Sequence, residues 1–370
     1  MGTKVNVALV YGGKSGEHEV SLQTAFAVMG EFDYDKYAIT PFYITKQGEW
    51  RVGGKLVSKP QTASELRLAA GASGAGFPLA PLFAGLDASA TAAAGATAID
   101  VVFPLLHGTF GEDGTIQGLF EMANIPYVGA GVLASAVGMD KVTMKKVFAQ
   151  EGLPQCVFRY FNRTQWEKDA AFFVMECEVA LGYPCFVKPA NLGSSVGISK
   201  ARNREELMEA VNYAFKYDRK VIVEEFVDAR EIEVAVLGND EPKASVPGEI
   251  IASNEFYDYK AKYVDGKSVM QIPAELSAEI SETVRDMAIR AFLSIDGAGL
   301  SRVDFFMRKS DGQLFINEVN TLPGFTPFSM YPLMWKETGM PYRELLDKLI
   351  ELALRRHSEK QKINFGASEA

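Results

Sequence analysis

Long apolar runs, paired cysteines and an excess of basic charge are all missing from this 370-residue chain. No stretch approaches the ~18 consecutive apolar residues of a membrane-spanning helix. The opening MGTKVNVALVYGG has one lysine and a short apolar run that stops at glycines, without the longer apolar core and small-residue cleavage site of a secretory signal. Cysteine occurs three times, at Cys156, Cys177 and Cys185, with no CxxC spacing and no nearby histidine pair. That argues against a disulfide framework or a thiolate zinc site and leaves reduced core thiols. A net charge of −9 removes the counterion-release drive behind nonspecific nucleic-acid binding. The expectation is a soluble cytoplasmic protein with neither nucleic acid nor membrane as partner.

What is present is ordinary globular material, 48% hydrophobic and 23% charged, so disorder is not expected. The length exceeds what one hydrophobic core usually sustains, which predicts two or three domains with a cleft between them. Residues 4–11 form a β-branched run stopped by Gly12 and Gly13, a buried strand and its turn, with a helix over 20–30. A second buried strand, IDVVFPLL (99–106), runs into HGTFGEDG, so the first part reads as strands and helices feeding a parallel sheet, with ligands at the strands' C-terminal ends. The Ala/Gly/Ser-rich residues 69–98 read as a surface loop or insertion.

Residues 140–151 carry Met144, Val147 and Phe148 on one helical face and stop at Gly152 and Pro154. Strand-like PCFVK (184–188), a glycine loop, a helix bearing Leu207 and Val211, and the strand KVIVEEF then make an α+β unit. The remainder alternates REIEVAVL, a Tyr-rich loop over 252–270, a helix through Ile280, Val284, Met287 and Ala291, two more strands, and an amphipathic helix over 342–357.

The richest segment is SRVDFFMRKSDGQLFINEVNTLPGF, in which two strand-like runs flank the turn signal Ser310-Asp311-Gly312. Reflecting one strand onto the other about Asp311 sets Asp304 opposite Glu318 and Arg302 opposite Asn320, with all four on one face. Two carboxylates and an amide oxygen are hard ligands suited to magnesium, and an arginine beside them can stabilise developing negative charge. Taken alone, the same four residues also fit the solvated face of a hairpin. The continuation Asn320-Thr321-Leu322-Pro323-Gly324-Phe325 favours chemistry, because it turns an acidic strand into a loop able to present backbone donors.

Lys188, followed by Asn191-Leu192-Gly193-Ser194-Ser195-Val196-Gly197, offers a point charge and small residues that let backbone N–H groups approach phosphate. Gly13-Lys14-Ser15 is not a Walker A loop, because Ala8 occupies the first glycine position. The same turn lacks the GxGxxG spacing of a dinucleotide fingerprint. In VIVEEFVDAREIEVAVL, Glu224 ends one strand and Glu231 begins the next; this is either a nucleoside contact or an exposed hairpin tip.

Read together, GGKSGEHEVS, LLHGTFGEDGTIQG, GMDK, FVKPANLGSSVGIS, EEFVDAREIEVAV, FYDYKAKY, RVDFF and NEVNTLPGFTPFSM resemble the D-alanine–D-alanine ligase family of the ATP-grasp superfamily, in family order over nearly the whole chain. The resemblance implies an α/β and α+β multidomain fold: a Rossmann-like N-terminal substrate domain over 1–138, then an ATP-grasp fold of two α+β subdomains over 139–228 and 229–370. It implies ATP-dependent joining of two D-alanine molecules through a D-alanyl phosphate, for peptidoglycan precursors, with magnesium, or manganese in its place, by a homodimer.

By the same resemblance, Lys141, Lys188, Lys262, Gly193 and Ser195 surround the phosphates. Glu224, Phe226 and Val227 hold adenine, Glu231 holds ribose, and Asp304, Glu318 and Asn320 bind metal. Glu17 pairs with the first substrate's ammonium, near Val20 and His107, and forms a triad with Ser194 and Tyr263. Arg302 and the Gly324 N–H stabilise the oxyanion, and Ser329 with the Met330 backbone holds the second carboxylate. Tyr263 fits dipeptide rather than depsipeptide formation. The alternatives are another ATP-grasp carboxylate–amine ligase, with a different amino acid or D-lactate as second substrate, and a nucleotide-binding regulator without turnover.

Overall fold

The structure, a computed structural model, describes residues 4–69, 99–193, 196–251 and 269–364. The expected Ala/Gly/Ser-rich loop, apart from Ala69, and the Tyr-rich segment 252–268 lie outside the described residues. Ser194, Ser195, Lys262 and Tyr263 lie outside them as well.

Strand β1 (Val5–Gly12) is buried from Val7 onward, which is why its sequence is a near-continuous apolar run rather than an alternating one. It pairs in parallel with β2 (Tyr37–Ile44) on one side and β4 (Val101–Pro104) on the other, and β3 (Trp50–Val52) adds an antiparallel edge. Helix α1 (His18–Glu31) begins two residues earlier than its apolar spacing suggests. Strand β4 is shorter than the run 99–106: Leu105 and Leu106 stay buried but leave the ladder to lead into the next loop. A side chain at Gly12, where φ is +94°, would meet the Ile44 carbonyl oxygen at 2.1 Å, so the chain turns there only with glycine.

Helices α2 (Thr115–Met122), α3 (Val132–Met139) and α4 (Lys141–Gln150) follow, and Asp140 caps α4 by accepting from the Thr143 N–H at 2.9 Å. An antiparallel sheet comes next, in the order β5 (Phe158–Asn162), β8 (Lys220–Glu225), β6 (Cys185–Pro189), β7 (Ser199–Ala201). One face buries Phe161, Cys185, Val187, Val221 and Val223 against α5 (Arg163–Lys168), α6 (Ala170–Leu181) and α7 (Arg204–Ala214). Its other face carries Ile222, packed with Val142 of α4.

A third sheet is built on β9 (Ala229–Gly238), flanked by β11 (Gly248–Ile251) and β13 (Gly299–Arg308), with β10 (Lys243–Ala244), β12 (Val269–Gln271) and β14 (Leu314–Asn320) around them. Ile232, Val234 and Val236 of β9 pack against α8 (Ala278–Ser294). Helices α9 (Met330–Glu337) and α10 (Tyr342–Lys360) join the opposite face to the first sheet, sharing one core with Leu9 and Phe103. The result is a mixed α/β fold of several packed units, with the C-terminal ends of β1 and β4 directed at the loop that leaves β14. Among the described residues, no helix is long and apolar enough to cross a membrane.

Candidate active site

Three segments meet at the site: the loops leaving β1 and β4, the β13–β14 hairpin with its continuation, and α4 with the second sheet. The hairpin is the frame. Its ladder sets Asp304 against Glu318 and Arg302 against Asn320, the pairs expected by reflection about Asp311. Closer to the turn the register moves by one residue, because Phe305 faces Ile316 and Asn317 is left unpaired as a bulge. That bulge brings Glu318 to Asp304.

Arg302 fixes the Asp304 carboxylate bidentately, Nε to Oδ1 and an Nη to Oδ2, both at 2.7 Å. Its Nε also lies 3.1 Å from Glu233, which faces Asp304 across the β9–β13 ladder. Glu318 lies 3.6 Å from the Lys141 ammonium, and Lys141 also donates to the Leu192 carbonyl at 2.8 Å, tying α4 to the glycine loop. Asn320 Oδ1 accepts from the Leu322 N–H at 3.0 Å, which sets the first turn of the following loop. As a donor set, two facing carboxylates and an amide oxygen fit a hard divalent cation, since each carboxylate oxygen that accepts from Arg302 keeps a second lone pair. Among the described residues no cluster of three His, Cys, Asp or Glu side chains competes as a metal site.

The loop after β14 makes a tight turn. A Cβ at Gly324 would come within 2.9 Å of Ser329 Oγ, so a side chain there would require the hydroxyl or the backbone to shift. Ser329 Oγ accepts from the Thr326 N–H at 2.9 Å, and Ser329 and Met330 open α9. Phe325 is fully buried edge-on to Phe103 of β4, which anchors the loop to the first sheet.

From the other side, Ser15 Oγ donates to the His107 carbonyl at 2.6 Å and accepts from the Glu17 N–H at 3.2 Å, joining the two loops that leave β1 and β4. Glu17, at the start of α1, is buried, as is Val20 one turn along. His107 Nε2 lies 3.1 Å from Thr24 Oγ1 of α1, and its ring adjoins the Leu322 backbone. Burial pushes this imidazole below its ordinary range, against the opposing influence of Glu17. A Cβ at Gly193 would lie 3.6 Å from Glu17 Oε2 and 4.0 Å from Glu112 Oε2, so the glycine loop faces both carboxyl groups.

Glu224 lies between two ammonium groups, Lys145 at 2.7 Å and Lys188 at 2.5 Å. Burial pushes its carboxyl up, but Lys145 and Lys188 outweigh it and hold the group well below the usual carboxylate range. Phe226 is partly exposed, with the Lys200 ammonium 4.2 Å from its ring centre. Residues 226–228 are not a hairpin tip: β8 and β9 belong to different sheets, so Phe226 and Val227 lie on the crossover between them, with Glu231 just inside β9.

Three buried charged residues here were not singled out by sequence. Glu112, inside HGTFGEDG, accepts from the Gly108 N–H at 2.5 Å, and burial followed by the Glu17 charge raises its carboxyl well above the usual range. Lys145 lies four residues after Lys141 on the buried face of α4, a charge on an apolar stripe that was the available signal. Glu233 has no local signal, because its relation to Arg302 exists only once β9 pairs with β13.

Family models for the N-terminal and C-terminal parts of D-Ala–D-Ala ligases match residues 6–130 and 147–351. A D-alanine–D-alanine ligase of Bacillus cytotoxicus is 54% identical over 98% of this chain and 99% of its own length. One from Listeria monocytogenes is 51% identical with the same coverage, 98% and 99%. Among solved structures, the D-alanine–D-alanine ligase of Coxiella burnetii superposes with a TM-score of 0.77 at 32% identity, covering 97% of this chain and 96% of that one. VanG D-Ala:D-Ser ligase of Enterococcus faecalis superposes at 0.78 with 35% identity, covering 95% and 100%.

Proposed function

The chain belongs to the D-alanine–D-alanine ligase family, and from that premise we propose that it joins two D-alanine molecules at the expense of ATP, for peptidoglycan precursors. The observation that carries the reading is the cross-strand pair Asp304–Glu318 with Arg302 on the same face, linked through Leu322 and His107 to Glu17. A polyphosphate, a carboxylate and an ammonium each find a complementary group there.

In this reading the first unit is a Rossmann-like substrate domain (1–138), followed by ATP-grasp subdomains 139–228 and 229–370. ATP lies between the subdomains, its adenine at the β8–β9 crossover with Glu224, Phe226 and Val227, its ribose at Glu231, and its phosphates among Lys141, Lys188 and the glycine loop. Asp304, Glu318 and Asn320 would hold magnesium, which would offset charge on the phosphates. Glu17 seats the first D-alanine ammonium and so directs its carboxylate to the γ-phosphate. The carboxylate oxygen attacks phosphorus, ADP leaves, and D-alanyl phosphate remains.

The second D-alanine, held at Ser329 and Met330, attacks the activated carbonyl carbon with its amine. The developing oxyanion is held by the Arg302 guanidinium and the Gly324 N–H, and phosphate leaves with the acyl oxygen that attacked. The buried wall of Val20, His107 and Phe325 keeps water from the acyl phosphate. The setting is cytoplasmic, where ATP is, and the assembly a homodimer.

The test is phosphate release with ATP and magnesium over a panel of D-alanine, L-alanine, and D-alanine paired with D-serine or D-lactate, with products identified by mass. Release with D-Ala-D-Ala as the main product supports the proposal. A mixed product that outcompetes the homodipeptide would reassign the second subsite, and silence across the panel would remove the catalytic reading.

A further inference from the structure

Lys145 has no role in the scheme above, yet among the described residues it is one of the most deeply buried charges. Its side chain is 2% exposed, Glu224 5% and Lys188 13%. The Lys145 ammonium reaches one Glu224 oxygen at 2.7 Å, while the other oxygen takes Lys188 at 2.5 Å. The carbonyl of Lys145 accepts from Gln155 Nε2 at 2.7 Å, and its ammonium lies 5.8 Å from the Phe158 ring centre. Lys145 therefore lies between α4 and the face of the second sheet that carries Ile222, more deeply buried than Lys188.

One carboxylate between two ammoniums leaves this buried trio with a surplus positive charge. Stability does not call for it. A buried ion pair is on balance no better than apolar packing, and a second ammonium adds desolvation without adding a carboxylate. Glu318 also acts on Lys188, but it is already 3.6 Å from Lys141. A surplus of this kind makes sense where an anion arrives.

We propose that Lys145 is a positioning residue for the nucleotide phosphates: by sharing Glu224 it keeps Lys188 from closing into a neutral pair and leaves the Lys188 charge available to phosphate. Lys145 does not touch the ligand. The inference rests on the nucleotide site proposed above. Without Lys145, a phosphate has to compete with Glu224 for the Lys188 ammonium.

The experiment is calorimetric titration of the full chain with ADP, and separately with adenosine, in magnesium buffer without D-alanine. Lys145→Met is expected to weaken ADP by about tenfold or more relative to adenosine, and Lys145→Arg is expected to keep the ratio of the two affinities within about threefold of the parent's. Because Lys145→Met strips a partner from a buried carboxylate, the double variant Lys145→Met with Glu224→Gln decides the matter if the single variant does not fold. It restores the surplus charge, so its ratio of ADP to adenosine affinity should stand within about threefold of the parent's, and a ratio about tenfold or more below the parent's overturns the proposal. Unaltered ADP binding in folded Lys145→Met overturns the proposal. A parent chain that binds neither ADP nor adenosine contradicts the nucleotide site itself.

Discussion

Arg302 holds Asp304 through two parallel hydrogen bonds of 2.7 Å, so that one side chain of the site orients another two residues away on the same strand face. Lysine keeps the charge but cannot form that fork. Arg302→Lys is expected to lower kcat by about 100-fold, of the order found when one oxyanion donor is removed, with the KM for ATP little changed. Steady-state kinetics beside a melting curve check this. A kcat within threefold of the parent would remove Arg302 from the chemistry.

Glu318 faces Asp304 across the ladder and is one of two carboxylates in the proposed metal set. Replacing it with glutamine keeps the shape and removes a charge. The magnesium concentration giving half-maximal rate should rise about tenfold or more, in the range seen when groups that support a metal site are lost. Manganese binding in the presence of ADP, followed by electron paramagnetic resonance, should weaken in parallel.

At Gly324 the available space is set by Ser329 Oγ, 2.9 Å from where a Cβ would lie. Gly324→Ala forces the backbone N–H away from its position or displaces Ser329. The expected result is a loss of about 10²-fold in kcat, with a raised KM for the second D-alanine and an unchanged KM for ATP.

Glu112 gives a pH signature. Burial first, and the neighbouring Glu17 second, raise its carboxyl well above the ordinary value of 4.5. Above that value the unfolded chain has released the proton while the folded chain still binds it, so folding stability declines as pH rises through the window up to the folded value. Glu112→Gln is neutral at every pH and escapes this decline. The melting-temperature difference, variant minus parent, should become more positive as pH is raised from the usual carboxyl range toward neutrality. A flat difference would mean that Glu112 is ionised in the folded chain.

Much of this arrangement is legible in the sequence where the relations are local. The period of two along a strand and a turn signal at Ser310–Gly312 fold the two runs onto each other and bring Asp304 and Glu318 to neighbouring strands. The agreement at that end depends on the Asn317 bulge, which shifts the register between the turn and the site and leaves no mark in residue pattern. Non-local relations are where reading fails. Strand β2 is hidden by Pro41 and shows itself only by pairing with β1. The connection after Glu224 reads equally as a hairpin tip, because nothing local says that β8 and β9 go to different sheets. Glu233 acquires meaning only from the β9–β13 ladder, and Glu112 only from the distance to Glu17 and Gly193.

In the proposed reaction the first D-alanine carboxylate attacks the γ-phosphate, and the dipeptide forms from the resulting acyl phosphate. The most direct measurement supplies D-alanine labelled with oxygen-18 in its carboxylate, together with ATP and magnesium, and follows the label by mass spectrometry. Each inorganic phosphate released with a D-Ala-D-Ala product should carry one labelled oxygen. Label in AMP instead, or phosphate free of label while the dipeptide accumulates, would contradict it.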